Sequence, residues 1–225
     1  MCGIFGIISN AKICSSELQL LAHHSEQRGK DSSGLLFSNS SSYDLHRANK
    51  AITSLLKDVN TAKTGLVMGH SRLITNGLAD NQPVYRDTVC VIHNGIVVNH
   101  DALWAQIGKT RQQEIDTEII AAIAADHLEK GGQVEGIAQR VLSLCDGVVA
   151  CALALPKLGK LCLFSNNGSL YHGTKGSAHY FASESYPLTQ LKCEAVAQVR
   201  SEGLVIDIPT SPNDPKIHGR SAPQT

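Results

Sequence analysis

The sequence predicts an α+β layered domain. Three observations predict it: short apolar runs of strand length fill both ends of the chain, the clearest helical segments sit together in the middle, and strands and helices do not alternate strictly as in a parallel βαβ sheet. A chain of 225 residues, 42% of them hydrophobic, can bury such layers without disulfide or metal staples.

Each element has its own signal. Cys2-Gly-Ile-Phe-Gly-Ile-Ile, directly after Met1, is a branched apolar run and reads as a buried strand. Residues 17–27 place Leu18, Leu21 and Ala22 on one helical stripe. Gly34-Leu-Leu-Phe and Tyr43-Asp-Leu-His flank a run of serines, 38–42, and read as a hairpin. Further strands are predicted at 65–70, 89–93, 148–155 and 160–165. Residues 116–128 form the clearest helix, stopped by Gly131-Gly132, and a second helix follows over 134–144. From 171 to 208 the chain returns to short strands around one turn at 184–188. After Pro209 it reads Thr-Ser-Pro-Asn-Asp-Pro-Lys and ends in Ser-Ala-Pro-Gln-Thr. Residues 1–208 are therefore expected to be the domain and 209–225 a flexible tail or linker.

Lys and Arg number 20, as do Asp and Glu, so the formal net charge is +0. Coating nucleic acid or anionic lipid takes a basic excess, and none is present. No apolar run approaches the roughly 18 residues of a membrane span. The residues after Met1 lack the basic start of a secretory signal. Seven cysteines, an odd and scattered set with no C-x-x-C pair, suit a reducing compartment, so a cytoplasmic protein with mostly inert thiols is expected. The histidines match no metal-ligand spacing, and no glycine-rich phosphate loop follows a strand.

Cys2 stands apart from the other thiols. A small second residue normally permits removal of Met1, leaving a cysteine whose α-amino group adjoins its thiol. The amine titrates near pH 7.7–8.0 and a free thiol near 8.5, so the pair can supply nucleophile and base at about neutral pH. By position alone, an ordinary small residue at the start of a strand is the commoner case.

The surrounding segments narrow this choice. Cys2-Gly-Ile-Phe-Gly-Ile resembles the start of class II glutamine amidotransferases, the N-terminal-nucleophile glutaminases. Gln27-Arg-Gly-Lys-Asp-Ser-Ser-Gly is similar to that family's R-G-x-D-S-x-G segment, and Gly69-His-Ser-Arg-Leu-Ile-Thr-Asn-Gly to its G-H-x-R-x-x-T-x-G loop. Asn81-Gln-Pro, His93-Asn-Gly, Asp116-Thr-Glu and Ala182-Ser-Glu-Ser-Tyr-Pro-Leu resemble further family elements in the family's order. The resemblance runs to about residue 208. It extends to the glutaminase domains of glucosamine 6-phosphate synthase and phosphoribosylpyrophosphate amidotransferase, and the wording falls between the branches: Leu73 and Asn76 depart from the first, while Asn81-Gln-Pro is nearer the second.

This resemblance implies the four-layer αββα sandwich of N-terminal-nucleophile hydrolases, with no metal or organic cofactor. It implies that Cys2 attacks the side-chain amide of L-glutamine, releases ammonia and leaves a γ-glutamyl thioester for water. The Asn94 amide and Gly95 N–H would receive the oxyanion; as a dipeptide alone, Asn-Gly after a strand is a hairpin turn signal. Arg72 would fork onto the substrate carboxylate, with main-chain groups of Thr75 and Asn76 completing the cradle; its plain alternative is a surface ion pair. Asp116 would bind the substrate ammonium, and as a residue type it also suits the N-cap of the helix that follows. Arg28 is implied near the nucleophile, where its cation would favour thiolate. His70 and His93 are expected to orient loops rather than act as bases.

Relatives in this family usually carry a second domain that uses the ammonia. The chain is therefore expected to be a stand-alone glutaminase that hands ammonia to a partner synthase in trans, with low basal activity. Three other readings stand beside it: an N-terminal-cysteine hydrolase of another amide, a catalytically silent interaction module, and a piece of a longer enzyme.

Overall fold

Nine consecutive residues from Gly147 to Leu155 form one strand in which every side chain from Val149 onward is buried. A strand buried on both faces must lie in a sheet covered on both sides, and alternation decides which side chain enters which layer. Val149, Cys151, Leu153 and Leu155 join one apolar core, and Ala150, Ala152 and Ala154 another.

The computed structural model describes residues 2–38, 42–61, 65–73, 80–209 and 216–221. In chain order these form β1 (Gly3–Ile8), α1 (Ser15–Glu26), β2 (Ser32–Ser38), β3 (Ser42–Ala48), α2 (Ile52–Lys57), β4 (Leu66–Arg72), β5 (Val84–Arg86) and β6 (Val89–Val97). There follow α3 (His100–Ile107), α4 (Thr117–Glu129), α5 (Ile137–Leu144), β7 (Gly147–Leu155), β8 (Lys160–Ser165), β9 (Tyr171–Lys175), β10 (Ala178–Ala182), α6 (Ser185–Gln190), β11 (Glu194–Gln198), β12 (Leu204–Asp207) and β13 (Lys216–Ser221). Among the described residues no helix is long and apolar enough to cross a membrane.

The strands make two sheets, an eight-stranded one ordered β11-β9-β10-β1-β4-β2-β3-β13 and a five-stranded one ordered β12-β8-β7-β6-β5. Three cores separate four layers. Helices α1, α2 and α6 cover the larger sheet through Leu18, Leu21, Ile52 and Leu188 against Phe5, Ile7 and Phe37. Helices α3, α4 and α5 cover the smaller one through Trp104, Ile119, Ile123 and Val141 against Val89, Cys151 and Phe164. The third core lies between the sheets, where Ile4, Ile8, Leu66 and Met68 meet Cys90, Ile92 and the β7 alanines. Small alanines on β7 and larger neighbours opposite let the two sheets approach and interdigitate. This is the αββα sandwich.

Several expectations need correction. The strand expected at 89–93 runs to Val97, because β6 stays in register with β7 from Cys90↔Ala154 to Val97↔Gly147. Asn94 and Gly95 therefore sit inside a ladder, paired with Ala150 and Val149, and form no turn. The segment at 184–188 belongs to the short helix α6. Helices α2 and α3, six and eight residues long, are too short for a periodic pattern to stand out. Residues 209–225 were set apart as a tail, yet Lys216–Ser221 adds a parallel strand beside β3, with Ile217 packed on the inter-sheet core.

Candidate active site

On β4, alternation puts Leu66, Met68, His70 and Arg72 on the face toward the other sheet. On β1 the same face carries Ile4 and Ile8, and one step before the strand it carries Cys2. The two strands are antiparallel with Gly3 opposite Ser71, so continuing the register sets Cys2 level with Arg72. From the facing sheet, β6 presents Cys90, Ile92 and then Asn94. Each series changes from apolar to polar at the same end, and there the candidate residues gather.

Cys2 is half-buried. Burial pushes its thiol up from the ordinary cysteine range, while a hydrogen bond from the Leu73 backbone and the Arg72 cation pull it down and Asp116 pushes it up again. Arg72 is 3% exposed. Burial lowers its pKa, and Cys2, Asp116, Asp80 and Asp31 all act to raise it, so one buried cation faces a ring of acidic groups. Its guanidinium donates to the Asp80 carbonyl, and its own carbonyl accepts the Asp31 N–H at 3.0 Å. A surface ion pair is thereby excluded as its setting.

Asp116 occupies the N-cap position of α4 but makes no side-chain cap bond. Its Oδ2 instead accepts the Val97 N–H at 2.8 Å. The carboxylate is turned away from its helix toward β6, close enough to act on Cys2, Arg72 and His93.

Backbone direction along β6 completes the arrangement. In an antiparallel strand, alternate N–H groups point to opposite neighbours. The His93 N–H goes to Gln82 Oε1 at 2.6 Å and the Val97 N–H to Asp116, both on the side away from β7. Gly95 lies between them and directs its N–H to that same side. Its φ of 156° and its neighbours explain the glycine, since a Cβ would fall 1.9 Å from the Val148 carbonyl oxygen and 2.7 Å from His93 Nε2. The glycine is therefore required by the approach of β7 and of the His93 ring.

Arg28 holds the nucleophile's main chain. Its Nε donates to the Cys2 carbonyl at 2.8 Å and its guanidinium pairs with Glu184. It therefore grips the backbone of Cys2, whereas the expectation was a cation acting on the thiol. Ser183, next to Glu184, exchanges bonds with Ile4: the Ile4 N–H reaches Ser183 Oγ at 2.9 Å, and the Ser183 N–H reaches the Ile4 carbonyl at 2.9 Å.

Both histidines are fully buried. Burial, then the nearby Arg72 and His93, push the His70 ring down to about 3, so it is neutral at physiological pH. Burial also lowers His93. Its Nε2 lies 3.1 Å from the Val148 carbonyl, an acceptor, so that nitrogen carries the proton, and Nδ1 faces Thr117 Oγ1 at 3.4 Å. Thr75 and Asn76 lie outside the described residues.

Four further residues shape the site. Gln82 and Asp80 touch β6 and Arg72 respectively. Glu118 is fully buried, accepts Arg86 at 2.5 Å and takes the backbone N–H groups of Gln112 and Gln113, fixing the segment that leads into Asp116. Ser183 is the fourth. Gln82, Glu118 and Ser183 all fall inside the quoted motifs, and that was the available signal.

The chain is similar to known proteins over this region. A family model described as a glutamine amidotransferase domain matches residues 70–190. Glutamine--fructose-6-phosphate aminotransferase [isomerizing] of Zymomonas mobilis is 29% identical over 204 residues, covering 84% of this chain and 33% of the relative. The protein of the same name from Caulobacter vibrioides is 31% identical over 179 residues, covering 75% of this chain and 29% of the relative. The chain thus spans about a third of the length of these relatives. Among solved structures, the glutamine phosphoribosylpyrophosphate amidotransferase from B. subtilis, complexed with ADP and GMP, superposes with a TM-score of 0.74 at 22% identity, covering 92% of this chain and 47% of that one. That likeness bears on the fold.

Proposed function

The chain belongs to the glutamine amidotransferase family, and on that premise we propose that it hydrolyses the side-chain amide of L-glutamine through a thioester on Cys2. The observation that carries this reading is the gathering, at one end of the inter-sheet layer, of Cys2, Arg72 and Asp116 with Asn94 and Gly95 of the facing sheet.

The free α-amine exposed by loss of Met1 takes the thiol proton, and the Cys2 sulfur adds to the amide carbon. The oxyanion that forms is met by the Gly95 N–H and the Asn94 side-chain amide, which lies on the inter-sheet face. The proton passes from the amine to the leaving nitrogen, the C–N bond breaks and ammonia departs. Water then adds to the thioester, and the thiol is regenerated with release of glutamate. Arg72 receives the substrate carboxylate as a bidentate fork, with Thr75 and Asn76 assigned to the same cradle. Asp116 receives the ammonium on the carboxylate oxygen that Val97 leaves free. Arg28 steadies Cys2 through its carbonyl.

Ammonia release from glutamine by purified protein and by a Cys2→Ala variant tests this. Equal rates from the two would sink it. The finer proposal is delivery of the ammonia to a separate synthase. It is supported by the names of the relatives, which describe amino transfer from glutamine to fructose 6-phosphate. Glutamine labelled with 15N on its amide, offered to the protein with and without a candidate synthase, should yield a labelled amine only with both present; label found only as free ammonia counts against it.

A further inference from the structure

Residues 80–83, on the way from β4 to β5, reach Arg72, the segment before Asp116, and His93 just ahead of Asn94 and Gly95. The Asp80 carbonyl accepts the Arg72 guanidinium, and its carboxylate accepts the N–H of Glu114, two residues before Asp116. Asn81 Nδ2 donates to the Ser33 carbonyl on β2 at 3.0 Å, and the Pro83 carbonyl accepts Arg47 Nε from β3 at 2.8 Å. The strap lies flush on the larger sheet at Gly34, where a Cβ would come within 2.0 Å of the Gln82 carbonyl oxygen.

Gln82 faces the other way, into the smaller sheet. Backbone pairing between β5 and β6 stops at Val84↔Val91, and continuing it would set residue 82 opposite His93. There the Gln82 side chain replaces the main chain. Its Oε1 accepts the His93 N–H at 2.6 Å and its Nε2 donates to the His93 carbonyl at 3.0 Å. The side chain is buried, so both backbone groups of His93 would otherwise be left unpaired away from water.

We propose that Gln82 is a positioning residue: its amide serves as a one-residue strand that fixes β6 at His93 and so places the Asn94 and Gly95 donors, borne by one sheet, against the Cys2 and Arg72 held by the other. The proposal rests on reading this site as a glutaminase. A displacement of about 1 Å in such donors costs about 10²-fold in rate, because they act on charge that exists only in the transition state.

The test compares wild type with Gln82→Ala and Gln82→Glu. The glutamate keeps side-chain length and one acceptor but turns an oxygen, not a donor, toward the His93 carbonyl. If Gln82→Ala melts too low to assay, Gln82→Glu carries the comparison. The expected result is a kcat for ammonia release lowered about 10- to 100-fold with KM for glutamine changed less than about threefold. Alkylation of Cys2 by iodoacetamide, which passes through no oxyanion, should keep its wild-type rate. Hydrogen exchange should quicken in a peptide covering 91–96 and not in one covering α4. An unchanged kcat overturns the proposal. So does a parallel decline of kcat, KM and alkylation, which would mark a residue needed only for folding. If wild-type protein releases no ammonia, the glutaminase reading fails first; exchange at 91–96 then decides the strap by itself, and no change there overturns it.

Discussion

The two ends of the inter-sheet layer are built from the same strands and the same faces, yet they do opposite things. At one end Ile8, Leu66, Cys90 and Ala154 close into an apolar core. At the other, four to six residues away along each strand, the series ends in Cys2, His70, Arg72 and Asn94. A change of two residues along a strand keeps the face and moves only about 7 Å. The apolar end thus sets the spacing of the sheets, and the polar end inherits it. The site needs no domain of its own; it is the place where a core ceases to be apolar.

This contrast can be broken at either end. The largest effect is expected from Cys2→Ala, which should lower ammonia release by about 10⁴-fold or more while leaving the melting temperature near that of wild type. Asn94→Ala, also at the polar end, should cost about 2.7–4 kcal/mol of transition-state stabilisation, read as a fall in kcat. If Asn94→Ala lowers stability strongly and kcat little, the two ends are not functionally distinct.

Acidification probes the same boundary. The folded His70 sits at about 3, against 6.5 for an exposed ring, so the unfolded chain binds a proton first as pH falls. Its contribution to stability is therefore complete above about pH 6.5 and is lost progressively from there toward pH 3, on the order of a few kcal/mol. Urea midpoints at pH 8 and pH 5 should differ clearly for wild type and less for His70→Asn. Equal pH dependence in both proteins would remove His70 from this account. The smallest effect is expected just behind Asn94 on the same face: Ile92→Val should cost about 0.5–1.5 kcal/mol of stability and leave kcat and KM unchanged. A large loss of activity from that one methylene would show that packing and chemistry are not separable here.

The layers were readable because alternation and helical period are local. The alanine and branched series of β7 and the run of 117–129 announce themselves in the sequence and give a layered α+β domain, while the four-layer arrangement was implied only by the family resemblance. What was not readable depends on partners distant in the chain. Asn94-Gly95 has the wording of a turn, and only its registered pairing with β7 keeps it a strand. Asp116 has the wording of a helix cap, and only the approach of Val97 turns its carboxylate toward the site. Gln82 falls inside a quoted motif, but nothing local states its role, because that role is to pair the backbone of a residue 11 positions away. The parallel partner of β3 follows the same rule, since a six-residue stretch with Gly219 in it earns its strand from its neighbour.

Cys2, freed of Met1, is expected to form a thioester with the substrate between the two sheets. Its most direct test is acid quenching during turnover of glutamine, followed by mass mapping of the N-terminal peptide. That peptide is expected to begin at Cys2 and to carry one γ-glutamyl group, absent from Cys2→Ala. Full turnover by protein that retains Met1, or by protein whose adduct lies on another residue, would contradict it.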